Sequence, residues 1–152
     1  IISCEDTPMQ REILAKMKGG IERAGLAKSA TFLFSMPFEK LYKYLPACDI
    51  GLVPYPDFEM NVVVAKAYDC IAAGLPIAVK AIGNSSEISH FVESNGVGFV
   101  SRDWPEFNAK FSKMLSKKLP ARAKIAKAAK KYTREGGARA VLLQIENLLA
   151  KK

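Results

Sequence analysis

The chain has no apolar run long enough to cross a bilayer, which excludes a transmembrane helix as its organising element. It has one histidine, and its three cysteines (Cys4, Cys48 and Cys70) lack metal-ligand spacing, so nothing points to a zinc or iron site. An odd cysteine count without a paired framework favours reduced, partly buried thiols and a cytosolic chain. No phosphate loop of the Gly-x-x-x-x-Gly-Lys type occurs, and no nucleophile stands beside a base, which removes P-loop and covalent hydrolase chemistry. Tight hairpin dipeptides between strand-like runs are absent too, so an antiparallel meander is not expected. No secretory signal leads the sequence; it opens on Ile1 rather than Met and enters a strand at once, which reads as a piece of something longer.

What is present suits one globular domain spanning residues 1–152 with a real core: 49% hydrophobic and 25% charged residues. The net charge of +8 is concentrated. Between Lys110 and Arg134 there are ten basic residues and no acidic one, and the rest of the chain is slightly acidic. Lys124, Lys127, Lys131 and Arg134 fall on one helical stripe and Ile125, Ala128, Ala129 and Tyr132 on another, so the basic stripe is expected to face solvent. It is either a solvated helix face or a surface that attracts anionic lipid or nucleic acid.

Periodicity gives alternating strands and helices. A short strand over 1–4 precedes a helix capped by Thr7 with Pro8 in its first turn, in which Met9, Ile13, Met17 and Ile21 recur every four residues up to Ala24. A strand over 30–34 and a short helix over 39–45, stopped at Pro46, follow. The strand over 49–55 is apolar on both faces, as a central parallel strand should be. A helix over 62–73 ends at Gly74, and a strand over 76–82, a helix over 86–93 and a strand over 97–100 follow. Asp103 caps a helix with Phe107, Phe111, Met114 and Leu115 on its core face. After a further helix, Gly136 and Gly137 break the chain before a last helix expected to bury Val141, Leu142, Ile145, Leu148 and Leu149. Strand–helix alternation argues for an α/β fold, a mostly parallel sheet with helices on both faces and extra C-terminal helices.

In such sheets ligands sit beyond the carboxyl ends of the strands. The loop from Tyr55 and the helix after it carry Asn61, Lys66 and Asp69 in an otherwise apolar stretch. Asn61 is placed to cap that helix, leaving the amides of Val62 and Val63 free to face an anion. On a helix running from Asn61, Asp69 would lie about 12 Å further along the axis. The arrangement fits an elongated ligand with a diphosphate at the helix start and a diol at Asp69; equally, Asn61 is a plain cap and Lys66–Asp69 a plain helical pair. Tyr55 lines either a pocket or the core. His90 and Trp104 read as structural, and Glu87 as support for the first turn of its helix.

The segments FEKLYKYLPACDIGLVPY, KAYDCIAAGLPIAV and GNSSEISHFVESNGVGFV together resemble the C-terminal, donor-binding domain of GT-B-fold glycosyltransferases, in particular the retaining, family-four-like group. The resemblance covers most of the chain, and DCIAAGLP is its most specific block. It implies a Rossmann-like, three-layer αβα domain that holds a nucleotide-diphospho-sugar, with the sugar passed to an acceptor without a cofactor or a metal. By resemblance Asp69 would hold the ribose hydroxyls, and Asn61 stands where the family more often has Glu facing the transferred sugar. The amides of Val62 and Val63 would face the diphosphate or sugar, and Lys66 matches a lysine found in part of the group. The chain departs from the family at 3–6, where Ser-Cys-Glu-Asp replaces a glycine-rich turn, and at Ser35, a usual glycine. One strand and helix with phosphate-gripping basic residues, and the N-terminal acceptor-binding domain, would lie outside the sequence, so this piece alone should bind nucleotide without turnover, and no catalytic residue is assigned. Membrane-associated members dock by basic surfaces, which makes an anionic membrane the expected partner of the segment from Lys110 to Arg134; nucleic acid is not expected. The alternatives are a sugar-nucleotide epimerase of the same fold, which would need more acid–base residues, and a non-catalytic module using the basic surface.

Overall fold

A computed structural model describes residues 2–3, 7–34, 36–55, 61–81, 86–117 and 119–150. The turn at 4–6, Ser35 and the loops 56–60 and 82–85, all singled out in the sequence, lie outside these described residues. The chain is α/β and forms two compact units, Ile1–Tyr44 and Leu45–Lys152.

The first unit is a strand–helix–strand crossover. Strand β1 (Ile2–Ser3) runs parallel to β2 (Leu33–Phe34), with Ile2 opposite Leu33. Parallel neighbours need a long connection, and here it contains helix α1 (Pro8–Arg23). The Thr7 hydroxyl accepts from the Gln10 amide at 3.2 Å, so the predicted cap holds. At the other end the amides of Gly25 and Leu26 return to the carbonyls of Glu22 and Ile21, closing the last turn. Lys18 sits over the Phe32 ring, 5.5 Å from its centroid. Helix α2 (Phe38–Tyr44) ends the unit.

The second unit starts with a 3₁₀ turn (Leu45–Ala47) and holds a small three-stranded parallel sheet. Strand β3 (Gly51–Pro54) pairs with β4 (Ile77–Lys80), and β4 pairs with β5 (Gly98–Ser101). Helix α3 (Ala65–Ala72) joins the first two strands, and α4 (Ser86–Asn95) the second and third. Within this unit β3 is an edge strand, not the central one its sequence predicts. Leu52 is 58% exposed, whereas all four residues of β4 are buried. A strand with a neighbour on one side only leaves an edge open, and the helix that covers the Leu52 side packs mainly on β4 and β5.

Side chains alternate across the sheet. Ile77, Val79 and Ala81 enter the main cluster with Val53, Ile71, Leu75, Ile88, Phe91, Val92, Val97 and Ile125. Ala78 and Lys80 lie on the opposite face, where helix α5 (Trp104–Ser116) packs on β4 and β5. On that side Phe107 meets Phe99 at 5.5 Å, Trp104 at 5.4 Å and Phe111 at 5.6 Å, centroid to centroid. Phe107, Phe111 and Met114 are half-buried as expected, but Leu115 is exposed. The predicted cap at Asp103 is present: its carboxylate accepts from the Glu106 amide at 2.7 Å, and Glu106 accepts from the Arg102 amide at 2.8 Å.

Two glycines fix how the layers meet. Gly74 has φ +74°, and a Cβ there would also lie 3.0 Å from the Arg122 backbone. It turns the chain out of α3 while α6 (Arg122–Ala129) crosses it. At Gly98 a Cβ would land on the Ile77 carbonyl, so β5 can pair with β4 only without a side chain at that point.

Ile125 is fully buried and Ala128 and Ala129 pack against the cluster. Lys124, Lys127, Lys131 and Arg134 are exposed, as the two-stripe pattern predicts. Tyr132, in the 3₁₀ turn Lys130–Tyr132, joins Tyr68 and Phe91 in a triangle of rings 5.0–5.7 Å apart. Two expectations fail beyond it. Gly136 and Gly137 do not break the chain; they sit in the first turn of α7 (Arg134–Leu149), where the Thr133 hydroxyl accepts from the Gly136 amide at 3.0 Å. A good N-cap compensates for glycine there: it takes the Gly136 amide, which has no helical partner, while the Gly137 amide donates to the Thr133 carbonyl at 2.9 Å. And α7 does not bury Val141, Leu142, Ile145, Leu148 and Leu149: all five are exposed, because within its unit the helix packs mainly on the short turn that precedes it. Among the described residues no helix is long and apolar enough to cross a membrane.

Candidate functional site at the carboxyl edge of the sheet

All three strands of the second unit point the same way, so one edge gathers the end of β3 with Tyr55, the approach to α3, the end of β4 with Lys80, the start of α4, and the turn from β5 into Trp104. Tyr55 extends the ladder: its amide donates to the Lys80 carbonyl at 2.8 Å. Its ring is buried. Its hydroxyl donates to the Val62 carbonyl at 2.7 Å and accepts from the Val64 amide at 3.3 Å. Burial raises the phenol above its ordinary value, so it stays protonated and able to donate throughout the neutral range. Tyr55 is thus a staple that holds residues 62–64 extended in front of α3, rather than a surface open to a ligand.

That staple moves the helix start. Val64, at φ −70° and ψ 146°, is the N-cap of α3, and no side chain caps it. Three successive β-branched valines resist entry into a helix, and the Tyr55 hydroxyl holds two of their backbone groups in the extended form. Asn61 therefore does not cap α3. Its Oδ1 accepts instead from the Glu87 amide at 3.2 Å, in the first turn of α4. The side chain expected to serve the helix after β3 serves the helix after β4, and it ties the two together across the edge.

Val62 is exposed and Val63 half-buried against the core, and their amides precede the helix rather than forming its first turn. Lys66 is exposed in that first turn. Asp69 is half-buried on α3. Because α3 begins at Ala65, only about 6 Å of helical rise separates its start from Asp69, about half the span expected for a helix starting at Asn61. Next to it the Cys70 thiol is pushed up to about 11, first by burial and then by the Asp69 charge. Cys48, the other described free cysteine, is exposed. His90 is exposed on α4, and Glu87 is exposed at its start, where its amide is the group Asn61 caps. Among the described residues no three His, Cys, Asp or Glu gather as a metal cluster would require.

No protein-family model matches the chain, and no curated protein matches it either. The site is therefore read from its own groups.

Two concave spaces lie away from the edge. A groove of about 390 Å³ runs between the amino end of β5 and the end of α5, with Phe99, Met114 and Leu119 inside and Lys113 and Lys117 at its rim. A recess of about 260 Å³ lies at Tyr68, Tyr132 and Thr133. The sequence reading missed two structural groups. Arg122 donates to the carbonyls of Pro46 (2.7 Å) and Cys48 and lies 3.9 Å from the Asp49 carboxylate, closing the start of α6 onto the chain ahead of β3. Lys80 is buried, with its ammonium 5.6 Å from the Trp104 ring centroid. The signal for it was present: a lysine inside the apolar run from Pro76 to Ile82.

Proposed function

We propose that the chain is the donor-binding half of a retaining glycosyltransferase, a Rossmann-like αβα domain that takes a nucleotide-diphospho-sugar. The observation that carries this reading is the construction at the end of β3. A parallel strand ends in a segment held extended by Tyr55, helix α3 starts at Ala65 with no side-chain cap, and a half-buried carboxylate, Asp69, lies about one turn in. Helix-start amides suit phosphate oxygens, and a carboxylate suits a vicinal diol. Lys66 adds a cation at the helix start, and Asn61 and the amides of Val62 and Val63 border the same edge. The sheet carries α3, α4 and α6 residues on its Ile77 face and α5 on its Ala78 face, which supports the layered architecture.

In this reading the leaving diphosphate is stabilised by amides and basic side chains rather than by a metal. The acceptor is held by a second, acceptor-binding domain, and the uncovered aliphatic face of α7 supports a partner of that kind. The enzyme would work in the cytoplasm. The exposed lysines between Lys110 and Arg134 support a further contact with an anionic membrane, by long-range attraction that salt would screen.

Calorimetric titration of the chain with UDP, GDP and ADP tests the donor site. One of the three should bind, and Asp69→Ala should weaken it at least about tenfold, the loss of a charge-assisted hydrogen-bond pair. Binding that is absent for all three, or unchanged in Asp69→Ala, removes the reading. Sedimentation with anionic vesicles at low and high salt tests the membrane contact, and no binding at low salt sinks it.

A further inference from the structure

The groove beside the amino end of β5 lies at the edge of the sheet opposite the candidate donor site. Its shape follows from the chain on either side. At Gly96, apart from the chain neighbours, no heavy atom lies within 4 Å of where a Cβ would stand. Facing it, α5 gives way at Lys117 to extended backbone (φ −102°, ψ 159°), which carries the chain on towards Leu119 and Pro120. Between these two turns Phe99, Met114 and Leu119, each half-buried, form an apolar floor.

The charge around that floor has one sign. Lys110 is engaged: its ammonium donates to the Val100 carbonyl and pairs with Glu106, each at 2.7 Å, so it lends the groove its aliphatic stem. Lys113 and Lys117 are exposed at the rim, about one helical turn apart. The helix dipole favours cations at this end of α5, yet two like charges at that spacing repel along the helix. Residues 110–134 hold no Asp or Glu to offset them. An apolar floor with a cationic rim is the complement of an apolar chain with an anionic head. The volume, about 390 Å³, falls within the roughly 300–1,000 Å³ of small-molecule sites.

A peptide strand suits the groove less well. The Val97 and Ser101 carbonyls accept from the Ile77 and Ala81 amides, on the β4 side. By alternation the Val100 carbonyl faces the outer edge of β5, and Lys110 takes it. A strand added at that edge would need this acceptor.

We propose that the groove holds the acyl chain of a single-chain anionic lipid, with its head group between Lys113 and Lys117. Each methylene laid on the floor leaves water, and the rim selects the sign of the head. Neither Asp69 nor a nucleotide takes part, so the site stands or falls separately from the donor reading.

Decanoate, decyl maltoside and decyltrimethylammonium share one chain and differ in head charge. Each is titrated into the 152-residue chain below its micelle concentration. The isotope-labelled methyl signal of Met114 reads the floor; those of Met9 and Met17, exposed on α1, read indiscriminate detergent contact. Decanoate should shift Met114 saturably and leave Met9 and Met17 in place. Lys113→Gln combined with Lys117→Gln should weaken decanoate about fivefold or more by calorimetry, leave decyl maltoside unchanged and keep circular dichroism native. Salt should weaken decanoate in the wild type. Leu119→Gln, which keeps the size and removes the apolar surface, should weaken decanoate and decyl maltoside alike. No shift at Met114, equal binding of the cationic probe, or undiminished affinity in the double variant refutes the site. A Met114 shift that appears on concentrating the chain without lipid assigns the groove to a second copy. A shift with an acidic amphipathic peptide but not with decanoate assigns it to a peptide. Either result overturns the lipid site.

Discussion

Replacing Tyr55 by Phe removes one oxygen and keeps the buried ring. That oxygen donates to Val62 at 2.7 Å and accepts from Val64 at 3.3 Å. Each intramolecular hydrogen bond contributes about 0.5–1.5 kcal/mol net, and the longer one sits at the low end, so the pair should be worth about 1–2 kcal/mol. In a unit of this size, with a shift of roughly 4 °C per kcal/mol, the melting midpoint should drop by about 4–8 °C. Trp104 lies in the second unit, so its fluorescence follows the transition of that unit. A second measurement separates the staple from general weakening: the Val64 amide loses its acceptor, so its hydrogen exchange should accelerate well beyond that of amides in β4. Nucleotide affinity should fall as well, because the approach to α3 is no longer held extended. An unchanged midpoint together with unchanged exchange at Val64 would mean that the valines hold the segment by themselves and that the hydroxyl is incidental.

Three further outcomes are expected. Gly98→Ala drives a methyl into the Ile77 carbonyl and should cost roughly 3 kcal/mol or more in urea unfolding, since the obstacle is backbone; a cost under 1 kcal/mol would mean that β5 shifts freely. The raised thiol of Cys70 stays protonated in the folded chain while the unfolded chain ionises, so its stabilising contribution is complete below about pH 9 and disappears as pH rises towards about 11. The loss, roughly 2–3 kcal/mol, should be absent in Cys70→Ala, and at pH 8 Cys48 should alkylate well before Cys70. Ile125→Ala should cost about 3–4 kcal/mol, whereas Leu148→Ala should change stability by no more than about 0.5 kcal/mol; equal costs would show that α7 is covered in solution.

Features decided by neighbours in the chain were legible in the sequence. Thr7 and Asp103 cap the helices they precede because a cap needs only its own next three residues. Gly74 ends α3 for the same kind of reason. What depends on a distant partner was not legible. Asn61 stands at a plausible cap position, but Tyr55 holds the intervening valines extended and Glu87 offers the amide. Composition made β3 look central, yet the middle place went to the strand flanked by two others. The aliphatic stripe of α7 predicted burial and the structure leaves it exposed, because a stripe does not say what covers it. At the candidate site the sequence located the elements and put Asp69 on the helix that follows β3, where the structure has it. It did not single out Lys80, because the apolar residues around it pointed to a strand and no local rule assigns a role to a charge inside one.

The Arg122 guanidinium bridges 76 residues to Pro46 and 74 to Cys48, and Ile125 follows it into the core. Read as a schedule, this means that the sheet can be assembled by residue 101 but not sealed until α6 arrives. A nascent chain, which emerges from its amino end, must therefore hold Ile71 and Leu75 with part of their cover missing while α5 and the basic segment are still being made.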